Sequence, residues 1–176
     1  MKNKTTRMIV EIAIMAALGL ALDFVAGLYS APFWSQGGSI SIAMVAIFIV
    51  AYRKGLVPGL ITAFLIGTIQ ILWGYAIGFG QVFLDYIFPY TILGLVGMFA
   101  GKVEKTKGFT KILWFTLPII AVCLVRTFSH VLSGMIYFAT PFWASLAYNG
   151  PFMAISTPIC LVITIILYDR LKGVFE

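Results

Sequence analysis

Residues 51–58 read Ala51-Tyr52-Arg53-Lys54-Gly55-Leu56-Val57-Pro58. Apolar sequence runs up to this octet from residue 39 and away from it to residue 77. Two adjacent cations and a glycine therefore mark a sharp turn between two apolar segments. Pro58 falls in the first turn of the second segment, where a missing backbone N–H costs a helix nothing. The same alternation covers the chain on both sides. Lys2, Lys4 and Arg7 precede the first apolar run, Lys102, Lys105, Lys107 and Lys111 stand between two later runs, and Arg170 and Lys172 follow the last. With Arg53 and Lys54, these are eleven of the twelve Lys and Arg residues. The gaps between them, around residues 29–37, 76–81 and 139–147, carry no charge of either sign. Cytoplasmic loops of membrane proteins retain Lys and Arg. Six spans with both termini cytoplasmic put every basic gap inside and every empty gap outside, and one helix more or fewer breaks that agreement.

Composition points the same way. The chain has 176 residues, 61% hydrophobic and 10% charged, where a soluble domain is about 45–50% apolar and about 25% charged. A bilayer core about 30 Å thick takes roughly 20 apolar residues per helix. Residues 1–176 thus have room for one all-α, polytopic integral-membrane domain of six helices with short connections. The predicted helices are roughly 8–29, 39–52, 55–77, 81–101, 112–138 and 148–170. The second is short and calls for a thinned bilayer or accommodating neighbours. Pro89, Pro118 and Pro158 fall inside helices, where neighbours must satisfy the freed carbonyls.

Several function classes are excluded. The net charge of +6 is split among short segments as the positive-inside rule requires, so nucleic acid is not an expected partner. Cys123 and Cys160 lie in apolar runs and read as packing thiols. The first apolar run is interrupted by Glu11 and Asp23 and is longer than a signal-peptide core, so it is expected to be a retained helix. The sequence has no G-x-x-x-x-G-K-[ST], H-E-x-x-H or G-x-S-x-G motif and a single histidine. No cofactor or metal is expected, and any ATP hydrolysis would belong to another subunit.

Four ionisable groups lie well inside the helices: Asp23, Asp85, Arg126 and His130. Each costs about 2.5–3.5 kcal/mol at the bilayer centre, so such groups face protein or a wet cavity. The bland alternative is a structural ion pair of Arg126 with Asp23 or Asp85. Glu11, close to the cytoplasmic end, reads as interfacial. Asp85 is about one turn, and His130 about two turns, below the outer surface, with Arg126 one turn deeper on the same face as His130. Trp34, Gln36, Trp73, Tyr75, Tyr86, Phe138, Trp143, Tyr148 and Asn149 gather at the same outer ends. An aromatic belt explains some of these residues. It does not explain a carboxylate, an imidazole and an amide at similar depth, which are what a small-molecule pocket uses. An uncharged rim over one carboxylate suits a neutral or cationic aromatic ligand. Ala13, Ala17 and Ala21 form a smooth stripe on the first helix, for packing inside the bundle or for docking a separate membrane subunit.

These residues also carry a family likeness. Glu-Ile-Ala-Ile-Met-Ala-Ala at 11–17, Gln-Gly-Gly-Ser-Ile-Ser-Ile at 36–42, Leu-Asp-Tyr at 84–86, His-Val-Leu-Ser-Gly at 130–134 and Ser-Leu-Ala-Tyr-Asn at 145–149 occur in order. In them the chain resembles the thiamine-specific substrate-binding (S) components of energy-coupling factor vitamin transporters, the ThiT or YuaJ family. The resemblance implies a six-helix bundle in the prokaryotic plasma membrane with a thiamine pocket near its outer face. It implies that Asp85 faces the thiazolium ring, with Tyr86, His130, Tyr75 and Asn149, the asparagine opening the sixth helix, around the ligand. It implies that Trp34 lies in the connection that lids the pocket. It also implies that Ala13, Ala17 and Ala21 dock on a transmembrane coupling protein served by two ATPase subunits. The chain departs from the family in having Asp85 for a glutamate. A stacking tryptophan falls at Phe138 unless Trp143 replaces it, and a tyrosine falls on Ala144. Thiamine is the expected ligand. Another vitamin or a thiamine precursor, and a proton-coupled transporter using Asp85 and His130, are the alternatives.

Overall fold

The computed structural model describes residues 2–171, with side chains from Lys4 onward; Lys172, the last cation of the charge pattern, lies outside them. Every element among these residues is helical. Six helices follow one another: α1 Lys2–Ser30, α2 Met44–Lys54, α3 Leu56–Ile69 with a closing 3₁₀ turn Gln70–Leu72, α4 Phe79–Lys105, α5 Gly108–Tyr137 and α6 Phe142–Arg170. α1, α4, α5 and α6 are long and apolar enough to cross a membrane. The protein is an all-α, multi-pass membrane protein. Among the described residues the basic segments meet one another, as six alternating helices require: Lys54 pairs with Glu11 of α1, Lys111 with Asp169 of α6, and Arg53 donates to the Leu171 carbonyl.

The short second helix is the centre of the bundle. Every residue from Met44 to Tyr52 is buried. α1, α3, α4 and α6 pack on it, and the Tyr52 hydroxyl donates to the Trp114 and Phe115 carbonyls of α5 at 3.0 and 3.2 Å. Its eleven residues thus need not match the bilayer, because protein covers them.

The strand of backbone leading into α2 is non-helical, which a membrane interior tolerates only where protein satisfies it. Ile40 N–H donates to Ser30 Oγ at 3.2 Å, Ser41 N–H to Ser156 Oγ at 3.1 Å and Ala43 N–H to Ser41 Oγ at 3.1 Å. The Tyr29 hydroxyl donates to the Ile40 carbonyl. At the other end Glu11 is not interfacial, as the sequence had indicated. It is buried and pairs with Lys54 Nζ at 2.9 Å, tying α1 to the α2–α3 turn.

α4 changes pitch along its length. Phe83–Ile87 form a π-helical turn and Ile92–Phe99 a 3₁₀ stretch. Pro89 accounts for the first. It has no N–H to give to the carbonyl one turn back, and its ring would crowd that carbonyl in an α-helix. A widened π turn relieves the crowding, and Ser129 of α5 donates to the Leu84 carbonyl at 2.6 Å. The 3₁₀ stretch lies against α3 at backbone contact. A Cβ on Gly94 would stand 2.6 Å from Leu60 N, and one on Gly97 2.7 Å from the Gly55 carbonyl.

Candidate functional site

A cavity of about 580 Å³ lies at the uncharged end, walled by α1, α3, α4, α5, α6 and the connection between α1 and α2. Its volume is that of a small-molecule site, usually about 300–1,000 Å³. Asp85 projects into it from the π turn. Three donors converge on the carboxylate: Ser133 Oγ on Oδ2 at 2.5 Å, Gln81 Nε2 on Oδ2 at 2.7 Å and His130 Nδ1 on Oδ1 at 3.0 Å. Gln81 is one α-turn before Asp85, and Ser133 is three residues after His130, so each pair shares a helix face. An acceptor-only carboxylate satisfies all three donors at once.

The tautomer of His130 follows from its other nitrogen. Arg126 Nε donates to His130 Nε2 at 3.3 Å. Nε2 must therefore be the unprotonated nitrogen, and Nδ1 carries the proton given to Asp85. Arg126 also stacks over the Tyr90 ring at 4.0 Å, and the Tyr90 hydroxyl donates to Asp23 Oδ1 at 3.0 Å. Arg126 makes no direct ion pair among the described residues. It joins the two buried carboxylates indirectly, through His130 on one side and Tyr90 on the other.

The outer wall is aromatic. Trp34 Nε1 donates to the Tyr148 carbonyl at 2.9 Å and the indole meets Phe152 edge-on at 5.8 Å. Gln36 N–H donates to the Tyr148 hydroxyl, which donates on to the Gly37 carbonyl, both at 3.1 Å. The α1–α2 connection is thereby fastened to α6 across the cavity. Opposite, the Tyr86 hydroxyl donates to the Tyr75 carbonyl at 2.9 Å. A side chain at Gly74 would collide with the Tyr86 ring, since its Cβ would lie 2.6 Å from it. Tyr75 and Phe138 lie ring to ring at 5.9 Å. Asn149 spends its amide nitrogen on the Ser145 carbonyl at 2.9 Å and the His130 carbonyl at 3.4 Å, which leaves its side-chain oxygen as the acceptor.

The model of the family described as Thiamine transporter protein (Thia_YuaJ) matches residues 9–176. The chain belongs to this family. It is 37% identical to the Thiamine transporter ThiT of Bacillus subtilis over 95% of this chain and 93% of that protein. It is 26% identical to the Thiamine transporter ThiT of Lacticaseibacillus paracasei over 94% of this chain and 89% of that one. Its fold matches a solved structure of ThiT from Listeria monocytogenes with a TM-score of 0.80, covering 98% of both chains at 23% identity. Thia_YuaJ proteins are transporters rather than enzymes.

Most of the residues singled out in the sequence of this Thia_YuaJ member come together. Trp34, Tyr75, Asp85, Tyr86, His130, Phe138, Tyr148 and Asn149 all line the cavity. Trp143 does not line it. It is 76% exposed and packs on Phe142, because α6 begins at Phe142 and turns Ala144, Ser145, Tyr148, Asn149 and Phe152 inward instead. The sixth helix begins six residues earlier than its predicted start at 148. Asn149 is therefore two turns inside it rather than at its opening, and Ala144 supplies a small, flat piece of wall. Ala13, Ala17 and Ala21 are exposed on the outside of the bundle, so the stripe is not used for packing within it. Gln70, Gln81, Tyr90, Ser133 and Phe152 are the site residues that sequence reasoning missed.

Proposed function

We propose that this protein is the thiamine-binding S component of an energy-coupling factor vitamin transporter in the prokaryotic cell membrane, with the cavity facing out and both termini in the cytoplasm. The observation that carries the reading is Asp85, a carboxylate fixed by three donors in an aromatic cavity whose rim bears no Lys or Arg. A cationic aromatic ring gains the counter-charge of Asp85 and stacking on the cavity's aromatic rings. The free oxygen of Asn149 accepts from an amino group on the ligand's second ring. Trp34 and Tyr148, joined at the mouth, hold the ligand in.

The proposed cycle needs partners. The exposed Ala13, Ala17 and Ala21 stripe docks on a transmembrane coupling protein, two ATPase subunits supply the energy, and tilting of the S component releases thiamine inside. The names of the homologous thiamine transporters support the ligand. A proton relay through Asp85 and His130 fits less well, because Arg126 already occupies the far nitrogen of the imidazole.

Trp34 and Trp73 line the cavity, so intrinsic fluorescence reports its occupancy. The purified protein in detergent is titrated with thiamine, riboflavin and biotin. Quenching by thiamine alone is expected. A response to another vitamin and none to thiamine would reject the ligand.

A further inference from the structure

The cations where α4 gives way to α5 take no part in the cavity. Lys102, Lys105 and Lys107 are all exposed. Lys102 follows Asp85 by 17 residues on the same helix, about 25–30 Å at α-helical to 3₁₀ rise. The cluster is therefore about one bilayer core away from the cavity. None of the three ammonium groups has a hydrogen bond or ion pair among the described residues. Lys111, by contrast, is paired with Asp169 of α6 at 2.6 Å. Glu104 is the one acid between residues 101 and 110, and two positions at 100° each put it on the opposite flank of α4 from Lys102. Like charges gathered on so short a stretch repel unless an anion joins them.

The cluster has apolar company. Lys102 Nζ stands over the Trp114 ring at 5.6 Å, and Phe99 stacks on the same indole at 5.6 Å. Val103 is fully buried and fixes the way this turn of α4 faces. In the first turn of α5, Phe109 is 73% exposed. Ammonium groups beside aromatic rings, at the ends of two helices long enough to cross a membrane, suit the bilayer interface, with the charges at phosphate level and the rings just below. The position favours lipid over a protein partner. α1, which carries the exposed alanine stripe, packs on α2 and α3. α4 and α5 pack on each other, and α5 on α6. The cluster thus lies across the bundle from the stripe, and a partner seated on the stripe leaves it facing lipid.

We propose that Lys102, Lys105 and Lys107, with Trp114 and Phe109, form a binding surface for the head group of an anionic phospholipid. The lipid phosphate sits among the three ammonium groups, and the two rings meet its glycerol and first acyl carbons. The bound lipid anchors the α4–α5 turn at the membrane surface. The surface does not depend on which ligand is transported. Assigning it to the cytoplasmic leaflet rests on the orientation given above.

Trp114 is the reporter for the test. The full-length protein is reconstituted in phosphatidylcholine bilayers containing brominated phosphatidylglycerol or brominated phosphatidylcholine, and Trp114→Phe identifies the share of emission that Trp114 contributes. That share should be quenched at about fivefold to tenfold lower mole fraction of the anionic lipid, since each lysine near an anionic surface contributes about fivefold. The triple variant Lys102→Gln, Lys105→Gln, Lys107→Gln should bring the two quenching curves together and keep its helical circular dichroism. Equal quenching by the two lipids in the unaltered protein would overturn the surface, and this comparison does not depend on the variant folding. A preference that survives in the folded triple variant would overturn it too. Displacement of the lipid by millimolar inorganic phosphate would overturn the lipid assignment in favour of a free anion. Equal quenching together with lost uptake in the triple variant would give the lysines to a protein partner instead.

Discussion

Replacing Asp85 with asparagine removes one charge and almost no volume, and the structure separates its two consequences. The first is electrostatic. Two unit charges about 4 Å apart interact by about 4 kcal/mol at an effective dielectric of about 20 and about 1 kcal/mol in bulk water. The Asp85 side chain is 17% exposed in a cavity open at its outer end, so the loss should be about 2–3 kcal/mol, or about 30–150-fold in thiamine affinity. The second consequence is local. Asparagine must point its NH₂ either at His130 Nδ1–H or at the Ser133 and Gln81 donors. His130 cannot switch tautomer to help, because Arg126 Nε then faces a second N–H. That donor–donor contact costs about 1 kcal/mol and is felt by any ligand. Titration calorimetry of Asp85→Asn with thiamine and with an analogue whose central ring is neutral resolves the two. Thiamine should lose about 30–150-fold and the neutral analogue less than about tenfold. Equal losses would refute the counter-charge and leave Asp85 a purely structural residue.

Three further outcomes are expected. Trp34→Ala removes the 2.9 Å bond to the Tyr148 carbonyl and the edge contact with Phe152; thiamine should dissociate about 5–30-fold faster in stopped-flow fluorescence, the effect of about 1–2 kcal/mol at the mouth. Gly94→Ala must push α4 off the α3 backbone, where its Cβ would lie 2.6 Å from Leu60 N; thermal unfolding in detergent should show a loss of about 1–3 kcal/mol. Gly101→Ala, with nothing within 4 Å of its Cβ, should show none. Ala17→Trp should abolish thiamine uptake by cells and leave binding by the purified protein intact, since Ala17 is exposed on the outer side of α1; lost binding would show that the stripe supports the fold.

The helix count was legible in the sequence because a basic pair such as Arg53-Lys54 between apolar runs has one physical explanation in a membrane. The central place of α2 was not. Its unbroken run from Ala43 to Tyr52 reads the same whether lipid or protein covers it, since lipid tails are as apolar as leucine. The start of α6 was misplaced because Phe142–Leu146 is uncharged and aromatic like the other outer connections. Pro141, which stands immediately before the helix, was the available signal. That shift of six residues accounts for Asn149 lying deep in the helix and for Trp143 lying outside the cavity.

Asp85 and His130 were legible because an ionisable group is costly in a bilayer and needs a reason to be there. Their supports were harder to see. Gln81 stands four residues before Asp85 and Ser133 three after His130, spacings that place them correctly but occur in many helices. Tyr90 and Gln70 carry no sequence signal beyond being polar-tipped residues within apolar helices. The role of Arg126 needed the structure, since neither carboxylate is its direct partner; it orients the imidazole that holds Asp85.

The most direct test is an experimental structure of the protein with thiamine bound. The positively charged ring should lie within about 4–6 Å of the Asp85 carboxylate, the range over which an opposite charge is strongly felt, with Gln81, Ser133 and His130 still bonded to it. A ring placed elsewhere in the cavity, with Asp85 facing only its three donors, would contradict the assignment.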